Sequence, residues 1–157
     1  LVLGTGATSR GLADFTHASG NFVNPGDAQS SAYTMRWGGI SSTAQVLTAD
    51  GTAASASNTL ALATNSCYTF RILVTAKSIT NTDAGGWEFN GVITRGATAA
   101  LTTLQMVNKV KIWSSNSAWD VNVSADTTNG ALQITGTGDG VSNVRFVARI
   151  ETAEVTN

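Results

Sequence analysis

Alternation of apolar and polar residues dominates the chain from residue 33 onward, and helical spacing is hard to find anywhere. Tyr33, Met35 and Trp37 share one face of the first strand this predicts, with Thr34 and Arg36 on the other. Short strands follow at 44–48 and 58–62, separated by the turn-rich ADGTAASAS. The longest pattern is CYTFRILVTAK, in which Tyr68, Phe70, Ile72, Val74 and Ala76 point one way and Thr69, Arg71, Thr75 and Lys77 the other. Leu73 interrupts the polar side and predicts partial cover there. GGWEFNGVITRG places Trp87, Phe89, Gly91 and Ile93 inward, and a glycine in mid-strand predicts a bulge or a close backbone neighbour. Residues 97–106 read as a loop and a short strand. In AWDVNVSADTTNGALQITGTG, Trp119, Val121, Val123 and Ala125 face the core. Asn129 and Gly130 are expected to take the positive φ of a tight hairpin, and Leu132 and Ile134 return along the core. The last strand, VRFVARIETAEV, puts Val144, Phe146, Ala148 and Ile150 on one face and Arg145, Arg149 and Glu151 on the other.

About nine strands at spacings of about 8 to 12 residues, with turn chemistry between them and no alternation of strand and helix, predict an all-β fold: an antiparallel β-sandwich of jelly-roll-like character. Residues 1–31 carry Gly, Ser, Thr and Asn without a sustained period and read as an N-terminal arm or linker ahead of a single domain at 32–157. The chain opens at Leu1 rather than Met, which reads as a fragment of a longer polypeptide or a processed product. Long alternating strands leave sheet edges to be managed. With few charges to blunt them, another protomer is the natural cover.

Composition narrows the chemistry. Hydrophobic residues make up 42% of the 157 but charged residues only 12%, about half the usual charged share. A formal net charge of -1 with no basic run argues against a nucleic-acid partner, and no apolar stretch reaches the roughly 18 residues of a membrane span. Cys67 is the only cysteine, so no intrachain disulfide is possible, and its place in an apolar run predicts a small buried residue. One His and one Cys do not make a zinc or iron site, and Asp126 with Asn129 and Asp139 with Asn143 read as turn residues rather than calcium ligands, so no metal or cofactor is expected.

No catalytic residue is assigned. His17, the only histidine, lies in the N-terminal segment with no nucleophile elbow anywhere to serve. Glu88, Asp120, Glu151 and Glu154 read as solvated, ion-paired strand residues, with the last two beside Arg145 and Arg149. Trp37, Trp87 and Trp119 read as core. In NKVKIWSSN, Val110 and Ile112 are placed on the apolar face and Lys109, Lys111 and Trp113 on the outer one. These three form the candidate ligand-binding group, suited to a sugar ring or a subunit contact.

The stretches GDAQSSAYTMRW, GGWEFNGVITRG, AWDVNVSADTTNGALQITGTG and VRFVARIETAEVT, in this order and spacing, resemble a β-rich module of bacteriophage tail fibre, tailspike and related virion structural proteins, often found near the C-terminus. The resemblance covers roughly residues 26–156. Such modules often carry Trp where this chain has Cys67-Tyr68, and Arg-Trp where it has Arg145-Phe146, so a ligand site built on aromatics does not carry over. The resemblance implies a homotrimer within the phage particle, other virion proteins as partners, a non-enzymatic structural role, and host-surface glycan as a ligand. A purely structural, capsid-decorating domain and an accessory domain of a carbohydrate-active enzyme are the alternatives.

Overall fold

The computed structural model describes residues 1–157. The chain is all-β and forms two facing sheets, with eleven strands where about nine were expected. The strands are β1 (Val2–Leu3), β2 (Asp14–His17), β3 (Ala28–Gly39), β4 (Gln45–Val46), β5 (Leu60–Ala61), β6 (Ser66–Ser78), β7 (Ala84–Arg95), β8 (Thr102–Ser114), β9 (Asp120–Asp126), β10 (Ala131–Thr137) and β11 (Val144–Thr156). The large sheet runs β1-β2-β3-β11-β6-β7-β8. In the small one, β10 pairs with β9 along one edge and with β5 and β4 in succession along the other.

Burial explains why the long strands form. Along β6 buried and exposed residues alternate without a break over 13 positions, and β11 repeats the pattern. One side of each ribbon can therefore be sealed against a second sheet while the other stays wet. Twenty-two buried residues make one continuous core, with Phe70, Ile72, Trp87, Phe89 and Phe146 on the large sheet and Leu60, Val121, Val123, Leu132 and Ile134 on the small one. Trp87 and Trp119 are fully buried, while Trp37 packs against the core and remains partly open.

Several local expectations need correction. The first 31 residues are not a detached arm: β1 and β2 extend the large sheet and β3 already begins at Ala28. This segment also covers a buried carboxylate. The Glu154 side chain is fully buried, not solvated near Arg145 and Arg149, and lies 3.2 Å from Arg10. Burial, followed by the neighbouring Glu154 carboxylate, pushes the Tyr33 and Tyr68 hydroxyls far above the usual phenol range. Residues 99–101 form a single 3-10 turn, after which β8 runs as one 13-residue strand. In the β9–β10 turn only Gly130 has positive φ, at 67°. Asp126 caps that turn by accepting bonds from the Thr128 and Asn129 amides. Gly91 fulfils its expectation: a Cβ there would lie 2.2 Å from the Met106 carbonyl oxygen, beside a register shift between β7 and β8.

Asp50 organises the loop between β4 and β5 by accepting bonds from the amide and hydroxyl of Thr52, from Asn58 Nδ2 and from the Thr48 hydroxyl. These hold its carboxyl down at about 2 from the ordinary 3.8. A depressed folded-state value means the contribution is complete above the unfolded value and lost as pH falls through the folded one. The gap in melting midpoint between wild type and Asp50→Asn is therefore expected to close between about pH 4 and pH 2. A constant gap across that window, followed by circular dichroism, would contradict the role given to this carboxylate.

Candidate functional site

The small sheet covers one face of the large sheet, and the other face is bare. The registers arrange its side chains in rows across β3, β11, β6, β7 and β8. One row reads Arg36, Val147, Thr75, Gly86, Trp113; the next Thr34, Arg149, Leu73, Glu88, Val110; a third Ala32, Glu151, Arg71, Asn90, Asn108; a fourth Ser30, Ala153, Thr69, Val92, Met106. Leu73, Val110, Val147 and Val155 are between 41% and 55% exposed, Trp113 59% and Met106 68%. Leu73 is thus open, and the partial cover expected for it is absent. Cys67 is also exposed on this face, since inward Tyr68 forces its neighbour outward, so the buried reading does not hold.

Strand β8 is the outermost strand, and no strand pairs with its far edge. Its burial pattern is exposed at almost every position, so side chains on both of its faces meet solvent. At about 3.3 Å per residue it presents roughly 40 Å of unpaired main chain. The opposite edge ends in the two-residue β1.

The structure separates the three residues singled out on this strand. Lys109 lies opposite Phe89 and Lys111 opposite Trp87, so both lysines share the core side. There they close the open side of the sandwich. Lys109 pairs with Asp120 at 2.7 Å and Lys111 donates to the Trp119 carbonyl at 3.3 Å. Their ammonium groups also stand 6.0 Å from the Phe89 ring centroid and 5.9 Å from that of Trp87. Val110 takes the outer side beside Glu88. A bulge at Ile112 then brings Trp113 to the outer side beside Gly86. Trp113 is therefore where the outward reading put it, without the two lysines.

Charge on the open face is balanced locally and positive in sum. Arg71 meets Glu88 at 2.8 Å, and Arg149 pairs with Glu151. Arg71, Leu73, Arg149 and Glu151 line a hollow of about 190 Å³. Arg36, Arg71, Lys77, Arg145 and Arg149 face outward against only Glu88 and Glu151, although the chain as a whole carries -1. The compensating acids lie elsewhere, among them Asp50, Asp83 and Asp139 in loops and Asp120 and Asp126 on β9. Asp139 is held well below the ordinary carboxylate range by the Ser142 and Val141 amides and the Ser142 hydroxyl. That is the work of a turn residue. His17 sits exposed at the end of β2.

No family model matches the sequence, and no curated protein matches it. Among solved structures, the fold is similar to the crystal structure of the tailspike protein gp49 from Acinetobacter baumannii bacteriophage Fri1, a capsular polysaccharide depolymerase. The TM-score is 0.43 and the identity 11%, over 81% of this chain and 18% of that one. The chain thus spans less than a fifth of that protein's length.

Proposed function

We propose that this chain is a non-enzymatic structural module of a phage virion, of the tail-fibre or spike type, which homotrimerises through the open face and β8 edge of its large sheet and contributes to attachment at host-surface glycan. The observation that carries the assembly reading is the bare face with exposed Leu73, Val110, Met106 and Trp113 running up to an unpaired 13-residue edge. Five strands about 4.8 Å apart and roughly 40 Å long give a surface of about 1,000 Å², above the about 800 Å² per partner that a stable interface buries.

The occupant is another copy of the same chain. Two such faces packed on each other about a twofold axis would bring five basic side chains against five, relieved only by Glu88 and Glu151. A head-to-tail ring, here proposed to hold three copies, does not set that basic face against itself. The resemblance of the four quoted stretches to phage fibre and spike modules supports the same stoichiometry.

Light scattering is expected to give three times the 16.1 kDa chain mass. The double variant Leu73→Asp/Val110→Asp is expected to give a single chain mass with an unchanged circular dichroism spectrum, because both side chains are exposed in the protomer. A wild-type monomer at every concentration would overturn the assembly reading.

A further inference from the structure

We propose that a cleft at the end of β3 binds a sugar ring carrying a carboxylate, such as the hexuronate unit of an acidic polysaccharide. The inference rests on the attachment part of the reading above; the cleft lies at the β3 side of the sheet, the rim of the open face farthest from β8, and is proposed to stay open to ligand there in the assembly.

Two hollows of about 250 and 280 Å³ share Trp37 and Gly51. Arg36, Gly38, Arg145 and Val147 line the first, and Gln45, Thr52 and Ala53 the second. Trp37 is half-buried and packs on Phe146 at 6.2 Å between ring centroids. Because it lines both hollows, it offers the kind of fixed aromatic surface on which the C–H face of a pyranose stacks.

The two arginines decide the ligand's charge. Eight of the nine basic side chains are engaged in ion pairs or hydrogen bonds; Arg145, which is exposed, has neither. Arg36 uses only Nη2, to the Asp50 carbonyl at 2.8 Å, and leaves its other donors free. The Asp50 carboxylate turns into its own loop, toward Thr48, Thr52 and Asn58. Two guanidiniums at a hollow that Trp37 also lines, with no protein carboxylate paired to either, suit a carboxylate that accepts two parallel bonds.

Glycines keep the room. A Cβ on Gly38 would lie 3.3 Å from Arg145 Cγ, on Gly51 3.0 Å from Arg36 Nη1, and on Gly39 3.1 Å from Trp37 Cζ2. Two consecutive glycines weaken a strand, and they occur here where β3 passes the indole and the arginine stem.

The test is a nuclear magnetic resonance titration of the whole chain with a hexamer of galacturonic acid, following the Trp37 indole N–H and the Arg36 and Arg145 Nε–H signals. These signals are expected to shift, with maltohexaose leaving them in place. Arg145→Glu is expected to weaken binding by about tenfold or more, and Trp37→Phe, which keeps an aromatic ring, to weaken it less. Absence of shifts, equal shifts with maltohexaose or dextran sulfate, or undiminished binding by Arg145→Glu would each overturn the proposal. The light-scattering mass of Trp37→Phe, a change whose side chain lies off the open face and which is expected to leave the mass equal to that of wild type, separates a failed ligand site from a failed assembly.

Discussion

Replacing Phe146 by alanine is expected to lower the unfolding free energy by about 3–5 kcal/mol. Phe146 is fully buried, with its ring centroid 6.2 Å from that of Trp37 and 6.3 Å from those of Trp87 and Trp119. It sits where β11 of the large sheet meets β10 of the small one. A Cβ on Gly136 of β10 would come within 2.9 Å of its Cγ, so the ring already fills the space between the sheets. Truncation leaves a cavity walled by three indoles on rigid strands, which cannot collapse to fill it. Since a domain of this size has only about 5–15 kcal/mol in hand, the variant should unfold at much lower urea. A loss below about 1 kcal/mol, the ordinary effect of a point change, would mean the sheets are held together elsewhere.

Arg10→Ala is expected to cost about 3–5 kcal/mol by leaving a buried charge uncompensated. The Glu154 side chain is 0% exposed and that of Arg10 16%. Gln29 Nε2 donates to the same carboxylate at 2.8 Å and the Thr152 hydroxyl at 2.6 Å, while Arg10 also donates to the Gly26 carbonyl at 2.6 Å. These contacts tie the N-terminal segment to the last strand. Adding Glu154→Gln to Arg10→Ala should recover stability, because the amide oxygen still accepts from Gln29 Nε2, its NH2 donates to the Thr152 hydroxyl, whose own hydrogen turns to the Ser31 carbonyl, and the stranded charge is removed. A double variant no more stable than Arg10→Ala would show that lost packing, and not charge burial, sets the cost. Urea titration of the three proteins measures both effects.

What could be read in the chain before its structure follows from which interactions are local. β3, β6, β7, β9, β10 and β11 are sealed on one face only, so their two-residue period states both their existence and their inward residues. β8 carries no such period, because an edge strand of a sandwich is wet on both sides and polarity ceases to report direction. Lys109 and Lys111 therefore lie on the face opposite to the one that alternation with Trp113 predicts: the bulge at Ile112 reverses the register between them and Trp113. The N-terminal segment is illegible in the sequence for a different reason. Arg10 and Glu154 are 144 positions apart, and no local pattern announces that pairing. Buried Glu154 looked like one more outward carboxylate, although by alternation it falls on the side of Ala148 and Ile150. For Cys67, residue type predicts the inside and alternation with inward Tyr68 predicts the outside, and alternation prevails. At the cleft, the alternation of β3 places Trp37 against the core, and the Gly38-Gly39 pair that follows it is the signal that its other side is kept open.

Hydrogen exchange of the alternate amides along Val107–Trp113 that point away from β7 tests most directly whether the free edge and open face of the large sheet are where copies of this chain meet. Slow exchange at concentrations where the trimer forms, becoming fast on dilution or in Leu73→Asp/Val110→Asp, is the predicted result. Fast exchange of these amides at every concentration would contradict it.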